Sequence, residues 1–430
     1  MSRIEARLLK GFRDYLPAAM LPKQRMLDAV ARTFESFGFG PLATPAIEYA
    51  DILLGKYGDE GDKLLYRFRD NGDRDVALRY DLTVPLARVV AMNMDLPRPF
   101  KRYQIAPVWR AEKPGRGRYR EFVQCDVDIV GAADLMADAE CLAVGAAVLR
   151  ALGVEDFVIR INNRKLLTAL LARLAIAEGE PALAVLRTVD KLPKIGEAGV
   201  RAALAAENGL DAAAIDGLFA FLGTPPEALA ALFADSEVGK TGAAELGELL
   251  RLAAELGIAD KVEVDLSIAR GLDYYTGTIY ETFLRASESL GSVMSGGRYD
   301  GLLASFTGQD LPAVGISLGV DRLFAGLLEL GLVKEGGCPT RALVAVYDEG
   351  TRPAAFALAA ELRAAGVATE VFLGVGKLKK QLQSADRRGI PFVLIAGPDE
   401  VAAGEVTLKD LATGGQTRVT RAGLADRLRA

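Results

Sequence analysis

Four arginines, Arg110, Arg116, Arg118 and Arg120, fall within eleven residues and are interleaved with Gly115 and Gly117. Permanently charged guanidiniums beside pliable backbone suit a polyphosphate, which they hold through paired N–H donors. A solvated basic hairpin has the same composition, so both readings stand on this segment alone. Arg322 ends the stretch Gly315-Ile-Ser-Leu-Gly319-Val-Asp-Arg322, which reads as a strand running into a helix, and a helix N-terminus is a further place for phosphate oxygens. Gly-x-x-x-Gly is common and weakly informative. Arg270-Gly-Leu-Asp-Tyr-Tyr-Thr-Gly-Thr278 sets an arginine, a carboxylate and paired tyrosines after an apolar-alternating strand. Tyrosine pairs serve a core or an interface as readily as a ligand.

The chain contains no histidine, which removes the usual general base and the commonest metal ligand at neutral pH. Chemistry here must run on Arg, Lys, carboxylates, Tyr, backbone amides and the substrate's own groups. Cys125, Cys141 and Cys338 are far apart and lack a C-x-x-C pair, so neither a disulfide framework nor a dedicated metal site is indicated. The 430 residues are half hydrophobic and a quarter charged, an ordinary globular profile that excludes disorder and fibre. No apolar run reaches the ~18 residues of a membrane helix, and the N-terminus lacks a signal-peptide pattern, so a cytoplasmic protein is expected. The net charge of −5 is uneven: the segment from residue 341 onward is mildly basic, with 13 basic and 10 acidic residues.

These residues need elements to position them. Met20 to Phe37 has helix periodicity, and Leu42 to Pro45 reads as a strand. Leu64 to Arg69 and Val76 to Tyr80 alternate around Asn71-Gly72, a hairpin signal. This spacing puts Ala77, Arg79 and Asp81 on one strand face, a polar row that suggests a site. Phe100 to Glu112 and Phe122 to Val130 are extended segments flanking the arginine loop, followed by a helix over Leu135 to Leu152 and a strand over Phe157 to Asn162. Residues 166–256 read as a small helical unit. Strand-like alternation returns from Val262, and a linker spans 333–340. Beyond it, short strands alternating with helices predict a small α/β domain with a largely parallel sheet.

Taken together, these segments resemble the histidine-tRNA ligases (histidyl-tRNA synthetases) from end to end. The resemblance is carried by Lys10-Gly-Phe-Arg-Asp-Tyr-Leu-Pro17, a motif 1-like segment from Phe34 to Pro45, and Arg79-Tyr-Asp-Leu-Thr83. It continues through the motif 2-like Trp109-Arg-Ala-Glu112 with Gly117 to Asp128, Arg270-Gly-Leu-Asp-Tyr-Tyr275, Gly296-Gly-Arg-Tyr-Asp300, and the motif 3-like Gly315 to Arg322. Many bacterial relatives carry His where Ala111 and Val123 stand here.

The resemblance implies an α/β multidomain class II synthetase. An antiparallel sheet flanked by helices (1–165 and 257–332) is interrupted by a helical insertion (166–256), and an α/β anticodon-binding domain (341–430) follows. It implies activation of L-histidine by ATP to histidyl-adenylate and transfer of the histidyl group to the 3′ end of tRNA(His), with Mg²⁺ accompanying ATP and a homodimeric assembly. Asp81, Leu82, Thr83, Arg110, Gln124, Asp128, Arg270, Tyr274 and Tyr275 would bind histidine. Arg110, Glu112, Arg118, Tyr119 and Arg322 would bind ATP. Arg110 and Arg270 would clamp the reacting phosphate. Lys377, Lys379, Lys380, Arg387 and Arg388 would meet the tRNA backbone. The competing family reading is a regulatory, histidine-sensing paralogue of ATP phosphoribosyltransferase. With no imidazole of its own, the enzyme is expected to show an acid limb near pH ~6 set by the bound amino acid.

Overall fold

The computed structural model describes residues 4–429 apart from Arg116, residues 270–273 and Val375, with Asp59 and Glu60 described for their backbone only. The chain divides into two compact units, Met1–Arg13 with Met26–Val333, and Asp14–Arg25 with Lys334–Ala430.

Among the described residues, the first unit is built on an eight-stranded sheet in the order Gly40–Pro41, Phe100–Trp109, Glu121–Val130, Ala313–Gly319, Met294–Arg298, Thr278–Leu284, Phe157–Asn163, Val262–Val264. The outermost pairings are parallel and all the inner ones antiparallel. Strand period explains which face is which. Cys125, Val127 and Ile129 point one way into the apolar core, together with Ile316 and Leu318, while Gln124, Asp126 and Asp128 point the other way. The helix Met136–Ala151 covers the apolar face. A Cβ at its Gly145 would lie 3.1 Å from Ile316 Cδ1, so glycine lets that helix sit close. Helices between Arg164 and Glu255 form the inserted block. Its Leu246, Leu249 and Leu252 share the core with Phe157 and Ile159.

The hairpin around Asn71-Gly72 forms, with Arg67↔Ala77 and Arg69↔Asp75 paired. Asp70 Oδ1 closes its turn by accepting from the backbone N–H of Gly72 at 2.8 Å and Arg74 at 3.0 Å. This hairpin belongs, however, to a separate three-stranded sheet with Ile47–Tyr49. The expected polar row does not form a sheet face, because the second strand stops at Leu78. Ala77 is wholly buried, and Arg79 turns inward to donate to the carbonyls of Pro107 (2.9 Å) and Thr44 (2.7 Å). The strand expected over Leu42 to Pro45 is instead the two residues Gly40–Pro41, with only the Leu42 N–H continuing the pairing to Tyr103 O.

In the second unit, Ala342–Ala345, Thr369–Val371 and Phe392–Ile395 pair in parallel, joined by the helices Arg352–Ala364 and Leu378–Arg387. The sheet is not largely parallel as expected: Glu405–Asp410 and Gln416–Thr420 extend it as an antiparallel hairpin. Gly414 and Gly415 lie in the turn of that hairpin, and Gly414 has φ +73°. The apolar alternation Val406, Leu408 was the signal available for it, although Thr407 between them is buried as well.

Candidate active site

The antiparallel register lays polar side chains in rows across the sheet. Gln104, Asp126, Ser317 and Ser295 are directly opposite one another on four successive strands, as are Arg102, Asp128, Gly315 and Gly297. The glycines make room: a Cβ at Gly315 would fall 2.1 Å from Asp128 Oδ1. Two cavities open on this face and share Ser295 and Ser317. The larger has an empty volume of about 670 Å³ and the smaller about 230 Å³.

The larger cleft collects the cationic residues. Arg110, Glu112, Arg118, Tyr119 and Gln124 line it together with Arg322, although Arg322 lies some two hundred residues away along the chain. Arg110 is fixed by its Nε donating to Tyr80 O at 3.1 Å, with its guanidinium 4.2 Å from the Tyr80 ring centre and 5.2 Å from that of Phe122. Arg322 Nη1 donates to Ser292 O at 2.5 Å. Arg322 sits in the first turn of the helix Val320–Glu329, whose Asp321 accepts the Val123 N–H at 2.9 Å and so ties the helix to the neighbouring strand. Arg118 faces Glu112 at 3.4 Å, and Tyr119 Oη accepts from Arg13 at 3.0 Å. Gly117 has φ +62°, and a Cβ there would lie 3.4 Å from Arg322 Cα, an ordinary contact, so a side chain would be strained by the backbone conformation rather than by lack of space.

The smaller cavity collects the carboxylates and tyrosines: Thr83, Asp126, Asp128, Tyr274, Tyr275 and Tyr299 line it. Asp128 is ion-paired with Arg102 at 2.5 Å and accepts the Tyr299 hydroxyl. Arg102 also donates to Leu82 O at 3.1 Å, which is how Leu82, wholly buried, contributes. Asp81 stands before the helix Thr83–Met92 and accepts from Val84 N–H (3.1 Å), Tyr57 (3.0 Å) and Tyr274 (3.4 Å). Gln124 Nε2 donates to Ser317 at 2.6 Å. Burial dominates the electrostatics. It raises the carboxyls of Asp81 and Asp128, against the opposing pull of Arg110 and Arg102 respectively. It pushes Asp126 up to about 7, helped by the like charges of Asp128 and Asp81. The hydroxyls of Tyr274, Tyr275 and Tyr299 are likewise raised, first by burial and then by these carboxylates, so they stay protonated and act as donors at neutral pH.

Arg270, and Arg116 of the arginine loop, lie outside the described residues. The basic residues of the second unit lie on and beside the helix Leu378–Arg387: Lys377, Lys379, Lys380 and Arg387 are exposed, and Arg388 is held by Glu370 at 2.5 Å. Sequence reasoning missed Arg102, Asp126, Tyr57, Tyr299 and Ser317. The available signal was period two: Gln124, Asp126 and Asp128 alternate with apolar residues, as do Arg102 and Gln104 with their neighbours, in strands otherwise fit for a core.

Among the described residues, no group of three or more Cys, Asp or Glu is placed to hold a metal ion, and no helix is long and apolar enough to cross a membrane.

A family model described as Histidyl-tRNA synthetase matches residues 11–323, and an Anticodon binding domain model matches residues 341–430. The chain is 46% identical over 418 residues to a histidine–tRNA ligase of Rhodopirellula baltica, covering 95% of this chain and 94% of that one. It is 44% identical over 454 residues to the ligase of Stenotrophomonas maltophilia, covering 99% and 98%. Its fold superimposes on the crystal structure of histidyl-tRNA synthetase from Nostoc sp. PCC 7120 with a TM-score of 0.88 at 36% identity, covering 99% of both chains. With matching models over both units and curated relatives of this identity along its whole length, the chain belongs to the histidyl-tRNA synthetase family, a class II aminoacyl-tRNA synthetase family.

Proposed function

We propose that the chain activates L-histidine with ATP, releasing pyrophosphate, and passes the histidyl group from the adenylate to the 3′ end of tRNA(His). The observation that carries this reading is the pair of adjoining cavities, a guanidinium-lined cleft with the chemistry to hold a nucleotide and a carboxylate- and tyrosine-lined pocket with the chemistry to hold a small polar side chain. The nucleophile is the amino acid's carboxylate attacking the α-phosphorus, so one anion approaches another and charge is the dominant barrier. Arg110, which lines the larger cleft, would bridge that carboxylate and the α-phosphate. Glu112, Arg118 and Tyr119 would hold ATP, with Arg322 on its γ-phosphate. Arg270 would face the α-phosphate from the far side, a role resting on the family resemblance. Because the nucleophile is already ionised, the first step needs no general base, and a chain without histidine is chemically adequate. In the second step a phosphate oxygen of the adenylate would accept the ribose proton.

Asp81 and Thr83, positioned with Leu82, would take the α-ammonium, Gln124 the carboxylate, and Asp128 with Tyr274 and Tyr275 the imidazole. A side chain without a ring N–H would leave a buried acceptor unpaired, costing about 1–3 kcal/mol or more. The family uses ATP with a divalent metal. Mg²⁺ would be held mainly by ATP and would need few protein ligands, with Glu112 the carboxylate beside Arg118 that could meet it. Lys377, Lys379, Lys380 and Arg387 would contact tRNA phosphates. Arg388 would do so only by leaving Glu370. A homodimer is supported by the exposed apolar Ile47, Tyr49 and Phe68 of the three-stranded sheet, and a cytoplasmic location by the substrates. The regulatory, non-charging alternative is not favoured, given ligase relatives along the full length and the matched anticodon-binding unit. Histidine-dependent exchange of pyrophosphate into ATP, followed by charging of tRNA(His), tests the proposal. Exchange with no amino acid, or with another in preference to histidine, refutes it.

A further inference from the structure

Three carboxylates meet around the smaller cavity, and they differ in what the protein sets against them. Asp81 has Tyr57 and the Val84 N–H on Oδ1 and Tyr274 on Oδ2. Asp128 has Tyr299 on Oδ1 and Arg102 against Oδ2. Asp126 differs. It is 2% exposed, and the Ser317 hydroxyl, itself oriented by Gln124, is its hydrogen-bonding neighbour, yet its Oδ1 has no partner. The nearby cations turn their hydrogen bonds to other acceptors: Arg102 Nη2 meets Asp128 and Leu82 O while its Nε and Nη1 make no hydrogen bond, and Arg79 donates to the carbonyls of Pro107 and Thr44. A buried carboxylate oxygen with nothing donating to it, on a residue that lines a polar cavity, calls for a donor from the ligand.

Building on the histidine-activating reading, we infer that Asp126 is a specificity-determining residue that accepts a ring N–H of the bound histidine on Oδ1 and holds the ring as an imidazolium–carboxylate pair. This is a role beyond that of Asp128, whose oxygens already meet Tyr299 and Arg102. The charge count agrees. Asp81 would pair with the α-ammonium, and the single charge of Arg102, which acts on both Asp128 and Asp126, cannot balance the two, so one negative charge is left to be matched by a second positive charge on the ligand.

The proton balance gives the inference a signature. The groups facing Asp126 are Arg79 and Arg102 on one side and Asp81, Asp128 and Tyr275 on the other. The carboxyl of empty-site Asp126 titrates at about 7, and a free imidazole at about 6.5. The bound pair holds one proton. Near pH 7 that proton passes from the Asp126 carboxyl to the ring nitrogen. At about pH 8 both partners start deprotonated, so binding must draw one proton from solvent.

The test is calorimetric titration of histidine into the full-length protein at about pH 8, in buffers of different ionisation enthalpy. The parent should take up close to one proton per histidine. Asp126→Asn, which keeps an acceptor for Ser317, should take up none and bind about 10- to 100-fold more weakly, with ATP binding in the adjoining cleft unchanged. A triazole analogue of histidine, whose ring stays neutral, should bind the parent without proton uptake, a measurement that does not depend on the variant folding. Proton uptake near zero for the parent, or an Asp126→Asn protein matching the parent in affinity and uptake, overturns the inference while leaving the parent reading intact. Failure of the parent to bind histidine at all overturns both.

Discussion

Arg110→Ala should nearly abolish amino-acid activation while leaving a folded protein. The guanidinium is held by Tyr80 O at 3.1 Å and stacked between Tyr80 and Phe122, which leaves its two Nη groups for the cleft. Removing one preorganised donor from a developing oxyanion costs about 10²–10³ in kcat. Arg110 supplies two donors and a full charge, so a loss of roughly 10³-fold or more, about 4 kcal/mol, is expected. Structurally the change is mild, since one carbonyl loses its donor at a cost of about 1 kcal/mol, and an unchanged melting transition would verify this. Arg110→Lys restores the charge but neither the fork nor the stack, and should recover part of the loss. The assay is histidine-dependent pyrophosphate exchange at saturating substrates, because an interaction made in the transition state appears in kcat more than in KM. Activity of Arg110→Ala within about tenfold of the parent would refute the assignment.

Arg322→Ala should raise the KM for ATP by about tenfold or more while that for histidine moves little, since Arg322 lines only the larger cleft; equal shifts in both would contradict this. Arg298→Ala strands the wholly buried Asp138 without its partner and should destabilise the protein by about 3–5 kcal/mol in urea unfolding; a change below about 1 kcal/mol would be the contrary result. Asp126 is raised from about 4 in the unfolded chain to about 7 when folded. The native state therefore keeps a proton that the unfolded state releases. That contribution is fully present below about pH 4 and is lost as pH rises through about 7, on the order of 4 kcal/mol. Asp126→Asn should flatten that fall in ligand-free unfolding, and an unchanged pH profile would count against it. Lys379→Ala and Lys380→Ala should each lower the salt dependence of tRNA binding by about one unit of slope, whereas Arg388→Ala, paired with Glu370, should leave it nearly unchanged.

The architecture was legible where periodicity is strong. The long strands Phe100–Trp109 and Glu121–Val130, the helix Met136–Ala151 and the inserted helical block all follow from apolar spacing. Short edge pieces were not, because the two residues Gly40–Pro41 carry no period, and the strand at Asp75–Leu78 ends where Arg79 finds backbone carbonyls instead of a sheet neighbour. The arginines of the cleft were legible from type and spacing. The carboxylate pocket was less so, because strand register places Gln104 beside Asp126 and Arg102 beside Asp128, and register is a tertiary property. The absence of histidine suggested that no side chain would titrate near neutrality, leaving the substrate to set the acid limb. Burial among like charges gives Asp126 that property instead. The limb is therefore expected to reflect the carboxylate and the substrate ring together.

A crystal structure of the protein with a non-hydrolysable histidyl-adenylate analogue tests the arrangement most directly. The phosphate mimic should lie against Arg110, the adenosine in the cleft that Arg322 lines, and the imidazole among Asp126, Asp128 and the tyrosines. An analogue bound away from Arg110, or with its ring outside that carboxylate pocket, would contradict the account.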